Sequence, residues 1–336
     1  MVDDVVFARN LLLGIQEGFE CFERSANGHR PQFFISVLQS TRLYDAETNV
    51  HHGTFNHRAP VMDCTFQEDY VAFIGGLDGQ VKRQDFYRRA DVLLGTHHKP
   101  VKCVEYLKEH GLVASAGWDK MLHLWDPRLP QFQNCVTSIS LPGKAYTMSQ
   151  THTKLVVGTS ERKVRIYDIR SVHSGRAEQH RESSLRHQTR CIRCFPDGTG
   201  YGLSSIEGRV AMEYFDLGKE AQEKQYAFKC HRKKDGVKEI VYPVNALAFH
   251  PSHGTFATGG CDGIVSVWDG ENKKRLSQIS GYPTSIAVMD FSRDGHLLAV
   301  AASYTFEMGD MSHPEDGVYV RRMQDTEVKP KPRKQL

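Results

Sequence analysis

No stretch of this 336-residue chain approaches the roughly 20 consecutive apolar residues that a membrane-spanning helix needs. Residues 11–14 and 297–302 are the longest candidates. A strong excess of basic charge is missing too, since 43 Lys and Arg face 40 Asp and Glu. Residues 327–336 supply the whole surplus, with Lys329, Lys331, Arg333 and Lys334 against Glu327, so the body of the chain is neutral. A general DNA or RNA binder carries a basic field over its fold, and no direct nucleic-acid contact is expected. Clustered cysteines are absent. The eight present are spread from Cys21 to Cys261, which reads as reduced thiols of the cytosol or nucleus rather than a disulfide framework. The acidic start Met1-Val2-Asp3-Asp4 lacks the basic-then-apolar order of a secretory signal. There is no Walker loop, no GxGxxG after a strand and no HExxH. The expectation is a soluble intracellular protein with no catalytic residues, no metal and no cofactor.

What is present is a repeat. Runs ending in aromatic-Asp recur at Arg42-Leu-Tyr-Asp45, His123-Leu-Trp-Asp126, Arg165-Ile-Tyr-Asp168 and Ser266-Val-Trp-Asp269, with a degraded copy at Val81-Lys-Arg-Gln-Asp85. The first four aspartates stand at 45, 85, 126 and 168. Weaker copies at 208–214 and 317–322 bring the number to seven. A small-residue strand and a turn precede each run, as in Ile74-Gly-Gly-Leu-Asp-Gly79 and Thr258-Gly-Gly-Cys-Asp-Gly263. Asp-Gly between β-rich runs is a strong hairpin signal, because the primed turn needs positive φ. A further strand lies upstream, for example Val61-Met-Asp-Cys-Thr-Phe66 and Val101-Lys-Cys-Val-Glu-Tyr106. Four strands per roughly 40–45 residues are the signature of the WD-repeat propeller. The expected fold is all-β, a seven-bladed WD-repeat β-propeller over residues 1–322, followed by a basic, proline-containing tail at 323–336. Ring closure is expected to use an early strand near Val5–Leu13. The tail reads equally as a nuclear-import signal and as a solvated end.

Three motifs that suggest chemistry have plainer explanations. Gly259-Gly-Cys261-Asp-Gly263 has the spacing of a nucleophile elbow, but an elbow enters a helix and a strand follows here. Leu77, Trp118 and Ile206 fill the same hairpin slot in other copies. Cys191-Ile-Arg-Cys194 has the spacing of a zinc or redox pair, yet it falls on a first strand, where residues three apart point to opposite faces. The pairs His51-His52 and His97-His98 are placed in loops between copies, without acidic or thiol partners at ligand spacing.

Surface recognition remains. Arg181, Arg186, Arg190 and Arg193 stand against Glu182 alone; Lys229, Arg232, Lys233 and Lys234 form a second group, and Arg209 follows the Glu207-Gly208 turn. In propeller order the connecting loops and the inner turns emerge on one face, so these charges are expected to meet. Guanidinium groups suit carboxylates and phosphates. Solvated loops are also often basic, and spacing alone does not separate the two readings.

The segments Gln188-Thr-Arg-Cys-Ile-Arg193, Tyr201-Gly-Leu-Ser-Ser-Ile-Glu-Gly-Arg-Val-Ala211, Tyr226-Ala-Phe-Lys-Cys-His-Arg232, Tyr282-Pro-Thr-Ser-Ile-Ala287 and His313-Pro-Glu-Asp-Gly-Val-Tyr-Val-Arg321 are not generic repeat text. Over Arg42 to the tail the chain resembles the mitotic spindle-checkpoint WD-repeat family, the third member of the "budding uninhibited by benzimidazole" group. The resemblance implies a non-enzymatic adaptor, monomeric within a hetero-complex, in the nucleus and at the kinetochore with a cytoplasmic pool. It implies binding of a GLEBS-type segment of the checkpoint kinase or its pseudokinase relative, and of phosphorylated Met-Glu-Leu-Thr repeats of the kinetochore scaffold. Arg209, Lys229 and Arg232 carry over as partners of acidic or phosphorylated groups, Trp118 as an aromatic contact surface, and Arg190 and Arg193 as further basic contacts. The alternative is the related nuclear-pore mRNA-export factor, which binds a nucleoporin segment; a ubiquitin-ligase substrate receptor is a third reading. One departure stands in the first copy. Where the family has a Ser-Trp-Asp turn, this chain reads Ile35-Ser-Val-Leu-Gln-Ser-Thr41, so that tryptophan has no counterpart here.

Overall fold

In a computed structural model the chain is described as backbone for 18–23 and 32–37 and with side chains for 40–45, 48, 50–68, 70–131, 133–309 and 311–330. It is an all-β WD-repeat propeller. Six four-stranded antiparallel sheets and one three-stranded sheet follow each other along the chain, each a meander with strands in sequence order, and a two-stranded ribbon stands between the fifth and sixth. The innermost strands are Gly18–Glu23, Val61–Glu68, Val101–Leu107, Ala145–Gln150, Thr189–Cys194, Val244–Phe249 and Ile286–Phe291. Each lies beside the next, and Gly18–Glu23 lies beside both Val61–Glu68 and Ile286–Phe291, which closes the ring. Among the described residues six of the seven expected blades have four strands, and the last sheet has three (Ile286–Phe291, Leu297–Ala302, Gly317–Arg322). Among the described residues the seventh repeat copy supplies three strands to this sheet. The early strand expected near Val5–Leu13 lies outside the described residues.

The core is not a single globule but apolar layers between neighbouring sheets. Leu107, Leu112, Leu122, Leu155 and Tyr167 fill the layer between the third and fourth sheets. Tyr44 packs with Leu297 and Ala299 where the last sheet meets the first. Because second strands are covered on both faces, Val71–Gly76, Leu112–Gly117, Gly200–Ser205, Thr255–Gly260 and Leu297–Ala302 are buried at every residue. That is why these segments read as small and apolar rather than alternating. A Cβ at Gly75 would lie 2.7 Å from Val101 Cγ1 and Val104 Cγ2 of the next sheet, so only glycine permits that approach near the axis.

The recurring aspartate has a local job at the lower end of the ring. Asp45, Asp85, Asp168 and Asp269 end third strands and Asp126 directly follows one, and each accepts a backbone N–H from the turn that follows. Two further staples tie sheets together at the upper end. Trp125 Nε1 donates to Ser115 Oγ at 2.7 Å, Ser115 Oγ meets His97 Nε2 at 2.8 Å, and His97 Nδ1 donates to Asp119 at 3.0 Å. Trp268, Thr258, His231 and Asp262 repeat the chain of bonds in the sixth sheet. Each staple joins the loop entering a sheet to that sheet's inner turn. The start of the expected tail is built into the body: Asp325–Val328 forms one capped helical turn, Val328 is buried, and its carbonyl accepts from Thr255 Oγ1 at 2.8 Å. Among the described residues no helix is long and apolar enough to cross a membrane.

Candidate functional site

The upper end collects the inner turns and the loops between sheets, since first and third strands run downward from it. Glu207 organises its basic sector. The inner turn of the fifth sheet places Glu207 before Gly208, whose φ is +62°; a Cβ there would meet the Cys230 carbonyl at 2.8 Å and Val241 Cγ1 at 2.9 Å. Glycine thus lets the turn slide under the ribbon Arg232–Asp235 and Lys238–Val241. The Glu207 carboxylate lies 3.6 Å from Arg209 Nε and 3.8 Å from His187 Nε2. Arg232 Nη2 donates to the Glu207 carbonyl at 2.7 Å and Nη1 to the Glu239 carboxylate at 2.7 Å. Arg209 and Lys229 are cross-strand partners, and Lys229 is exposed. Three segments far apart in sequence therefore meet, and Arg209, Lys229 and Arg232 sit together.

Arg190 joins this sector through a backbone device. In the six sheets after the first, the pairing of innermost and second strands skips the second residue of the innermost strand: Met62, Lys102, Tyr146, Arg190, Asn245 and Ala287. Such a bulge releases a side chain from the pleat and re-aims it. The Arg190 charge acts on the Cys261 thiol in the inner turn of the sixth sheet. Trp118 occupies the inner turn of the third sheet, half-buried, with its backbone N–H on the Pro100 carbonyl at 2.9 Å.

Arg193 does not join them. It is the fifth residue of its innermost strand, as are Glu105 and Asp290 of theirs, and its charge acts on both carboxyls. Burial pushes the Glu105 carboxyl up to about 8 against the pull of Arg193, and burial raises Asp290 as well. Arg193 thus offsets the negative charge of the channel wall.

Two loop assignments change. His51 and His52 lie on the outer strand His51–Asn56. His97, expected to lack an acidic partner, holds Asp119 from the next inner turn. His97, Asp119 and His123 bring ligand-type atoms within 4.8 Å of one another. Both His97 nitrogens are committed to Asp119 and Ser115, so the group is a structural staple. Burial and the neighbouring His97 push His123 down to about 4. Cys191 and Cys194 lie on one strand, as expected; Cys191 is buried, and burial pushes the Cys194 thiol up to about 12. Sequence reasoning missed Glu207 as organiser, although its place before the Gly208 turn was a signal.

Comparison with known proteins bears on this face. The family "WD domain, G-beta repeat" matches residues 91–126 and 223–269, which are the two regions that hold the Trp-Ser/Thr-His-Asp staples. The chain is 54% identical over 295 residues to "Mitotic checkpoint protein BUB3.1" of Arabidopsis thaliana, covering 87% of this chain and 86% of that one. It is 45% identical to "Mitotic checkpoint protein bub3" of Dictyostelium discoideum, over 84% and 85% of the two chains. The "Poly(A)+ RNA export protein" of Schizosaccharomyces pombe matches at 30%, over 87% and 84%. With identity of that level across most of the chain and the repeat staples in place, the protein belongs to the BUB3 family of mitotic checkpoint WD-repeat proteins.

Proposed function

We propose that this protein is a non-enzymatic adaptor of the spindle assembly checkpoint and that its upper face holds acidic or phosphorylated segments of its partners. The observation that carries the site is the convergence of Arg190, Arg209 and Arg232, each with a buried Nε that lacks a hydrogen-bond partner. An Nε–H without an acceptor can donate to a carboxylate or phosphate without first losing a hydrogen bond. The partners we infer are the checkpoint kinase or pseudokinase, through a GLEBS-type segment, and a phosphorylated kinetochore scaffold. The corresponding location is the nucleus and kinetochore, with a cytoplasmic pool. Checkpoint relatives match at 54% and 45% against 30% for the export relative, which favours this reading over RNA export. The neutral body of the chain favours it too.

The same reading treats the ring as seven blades within one domain, 1–322, and 323–336 as its basic tail, whose first turn docks on the sixth sheet. Apolar layers on both sides of the three-stranded sheet support counting it as the seventh blade. Recovery of tagged chain from mitotically arrested cells tests the function. A checkpoint kinase recovered with wild type and lost with Arg209→Glu is the expected result. Recovery of nucleoporins and RNA in its place would overturn it.

A further inference from the structure

Seven side-chain polar atoms among the described residues are buried without a hydrogen-bond partner. Buried orphans are rare, because each gives up hydration with nothing in return. Here they share one end of the ring. Thr189 and Arg190 open the innermost strand of the fifth sheet, Arg209 its third strand, and Arg232 the ribbon. Trp118 and Ser303 are the first turn residues after second strands, and Asp316 directly precedes a third strand. All of these positions are at the upper end. The lower end has as many turns, yet none of its described side chains is orphaned.

The chemistry of the orphans changes around the ring. Trp118 and the three arginines offer N–H donors, whereas Asp316 Oδ1 on the last sheet is an acceptor; it and the fully buried Ser303 adjoin the cross-strand pair Gly317 and Ala302. The neighbouring charge follows the same division. The inner turn of the last sheet, 303–316, presents Glu307, Glu315 and Asp316 against His313 among its described residues. Glu307 is already satisfied by Ser285 and Thr305 hydroxyls at 2.5 and 2.8 Å. A ligand confined to the arginines would leave the last sheet's orphans as they are.

We propose that the bound segment runs on across the channel mouth to the last sheet, where Asp316 and Ser303 take a lysine or arginine side chain. The partner is then an extended protein segment with an acidic group and a basic group at fixed spacing. This inference rests on the upper face being the peptide site. Complementary charge at two separated points fixes direction and register, which one basic patch cannot do.

The test is selection from a random 16-residue peptide library on the purified full chain. Wild type is expected to select peptides with an acidic and a basic residue at constant spacing. On Arg209→Glu the acidic preference disappears; on Asp316→Lys the basic preference is replaced by an acidic one. For one selected peptide, changing its basic residue to alanine weakens wild-type binding tens-fold or more and binding to the shape-preserving Asp316→Asn about two-fold or less. Selected peptides with acidic but no basic preference, or an unchanged preference on Asp316→Lys, would overturn this inference and leave the proposed function standing. No acidic preference on wild type, or the same selection on Arg209→Glu, would overturn the proposed function itself.

Discussion

The two ends of the ring are made of the same kind of turn, yet they treat their polar groups differently. At the lower end the repeated aspartates close their own turns: Asp168 accepts from Arg170 N at 3.0 Å and Nε at 2.9 Å, and Asp126 accepts from Arg128 N at 3.0 Å and Nε at 2.8 Å. At the upper end Trp118, Arg190, Arg209 and Arg232 keep buried donors unused. Local satisfaction stabilises the fold and leaves nothing for a partner. Unused donors have the opposite consequence, since a ligand that supplies acceptors there gains bonds without breaking any. The lower end is built for stability, whereas the upper end keeps unused donors for recognition beside its own two staples.

Arg209→Ala should break that contrast most sharply. Removing one partner of a buried charged pair typically costs about 2–5 kcal/mol, so the partner segment should bind tens-fold or more weakly in a calorimetric titration. The melting temperature should stay within about 1 °C of wild type, because the Arg209 side chain is a third exposed. Unchanged affinity would remove Arg209 from the site.

The channel between the two ends gives the next effect, through Glu105. Burial pushes its folded carboxyl up to about 8, from an ordinary value of 4.5 in the unfolded chain. Between those values the folded state holds the extra proton, so stability falls as pH rises from about 4.5 to 8. Melting curves at pH 5.5 and 8.5 should show a fall for wild type about 3–4 °C larger than for Glu105→Gln, on the usual relation of free energy to melting temperature. Parallel curves would mean that Arg193 and water keep Glu105 ionised.

Asp168→Ala probes the lower end. Hydrogen bonds from Arg170 hold the Asp168 carboxyl well below the usual carboxylate range, against the effect of burial. The side chain caps its turn, and loss of such a cap costs about 1 kcal/mol. Its stabilisation is complete above the unfolded carboxyl's pKa and is lost as pH falls through the lower folded value, so wild type and variant should converge in acid. Peptide affinity should not move; a binding defect here would erase the distinction between the ends. Lys229→Ala completes the series. An exposed rim charge contributes less than about 1 kcal/mol, so affinity should fall less than about five-fold and the loss should vanish at high salt.

Much of this architecture was legible in the residues. The aromatic-Asp spacing located the third strands, and Asp78-Gly79 and Asp262-Gly263 marked turns whose glycines adopt positive φ. The small-residue strands were recognisable because close approach of sheets near an axis tolerates little else. The site was legible only in part. Arg190 and Arg193 look alike in the sequence, three positions apart on one strand. A bulge re-aims the first to the mouth and leaves the second facing Glu105 and Asp290. Strand alternation does not show where pairing skips a residue. Ser303 and Asp316 were missed because the inner turn of the last sheet is long and follows no repeat pattern. Their lack of partners is a property of what surrounds them.

The sequence by itself determined the repeat, the all-β propeller and the family, because turn chemistry and side-chain period are local and act over a few residues. Only the tertiary structure decided which charges meet. Glu207, Arg232 and Arg190 come from different turns, strands and loops, and the packing of the fifth sheet against the ribbon brings Glu207 and Arg232 together, while the strand bulge sets Arg190 apart from Arg193. Electrostatic partnership falls off over a few ångströms of space, whatever the distance along the chain.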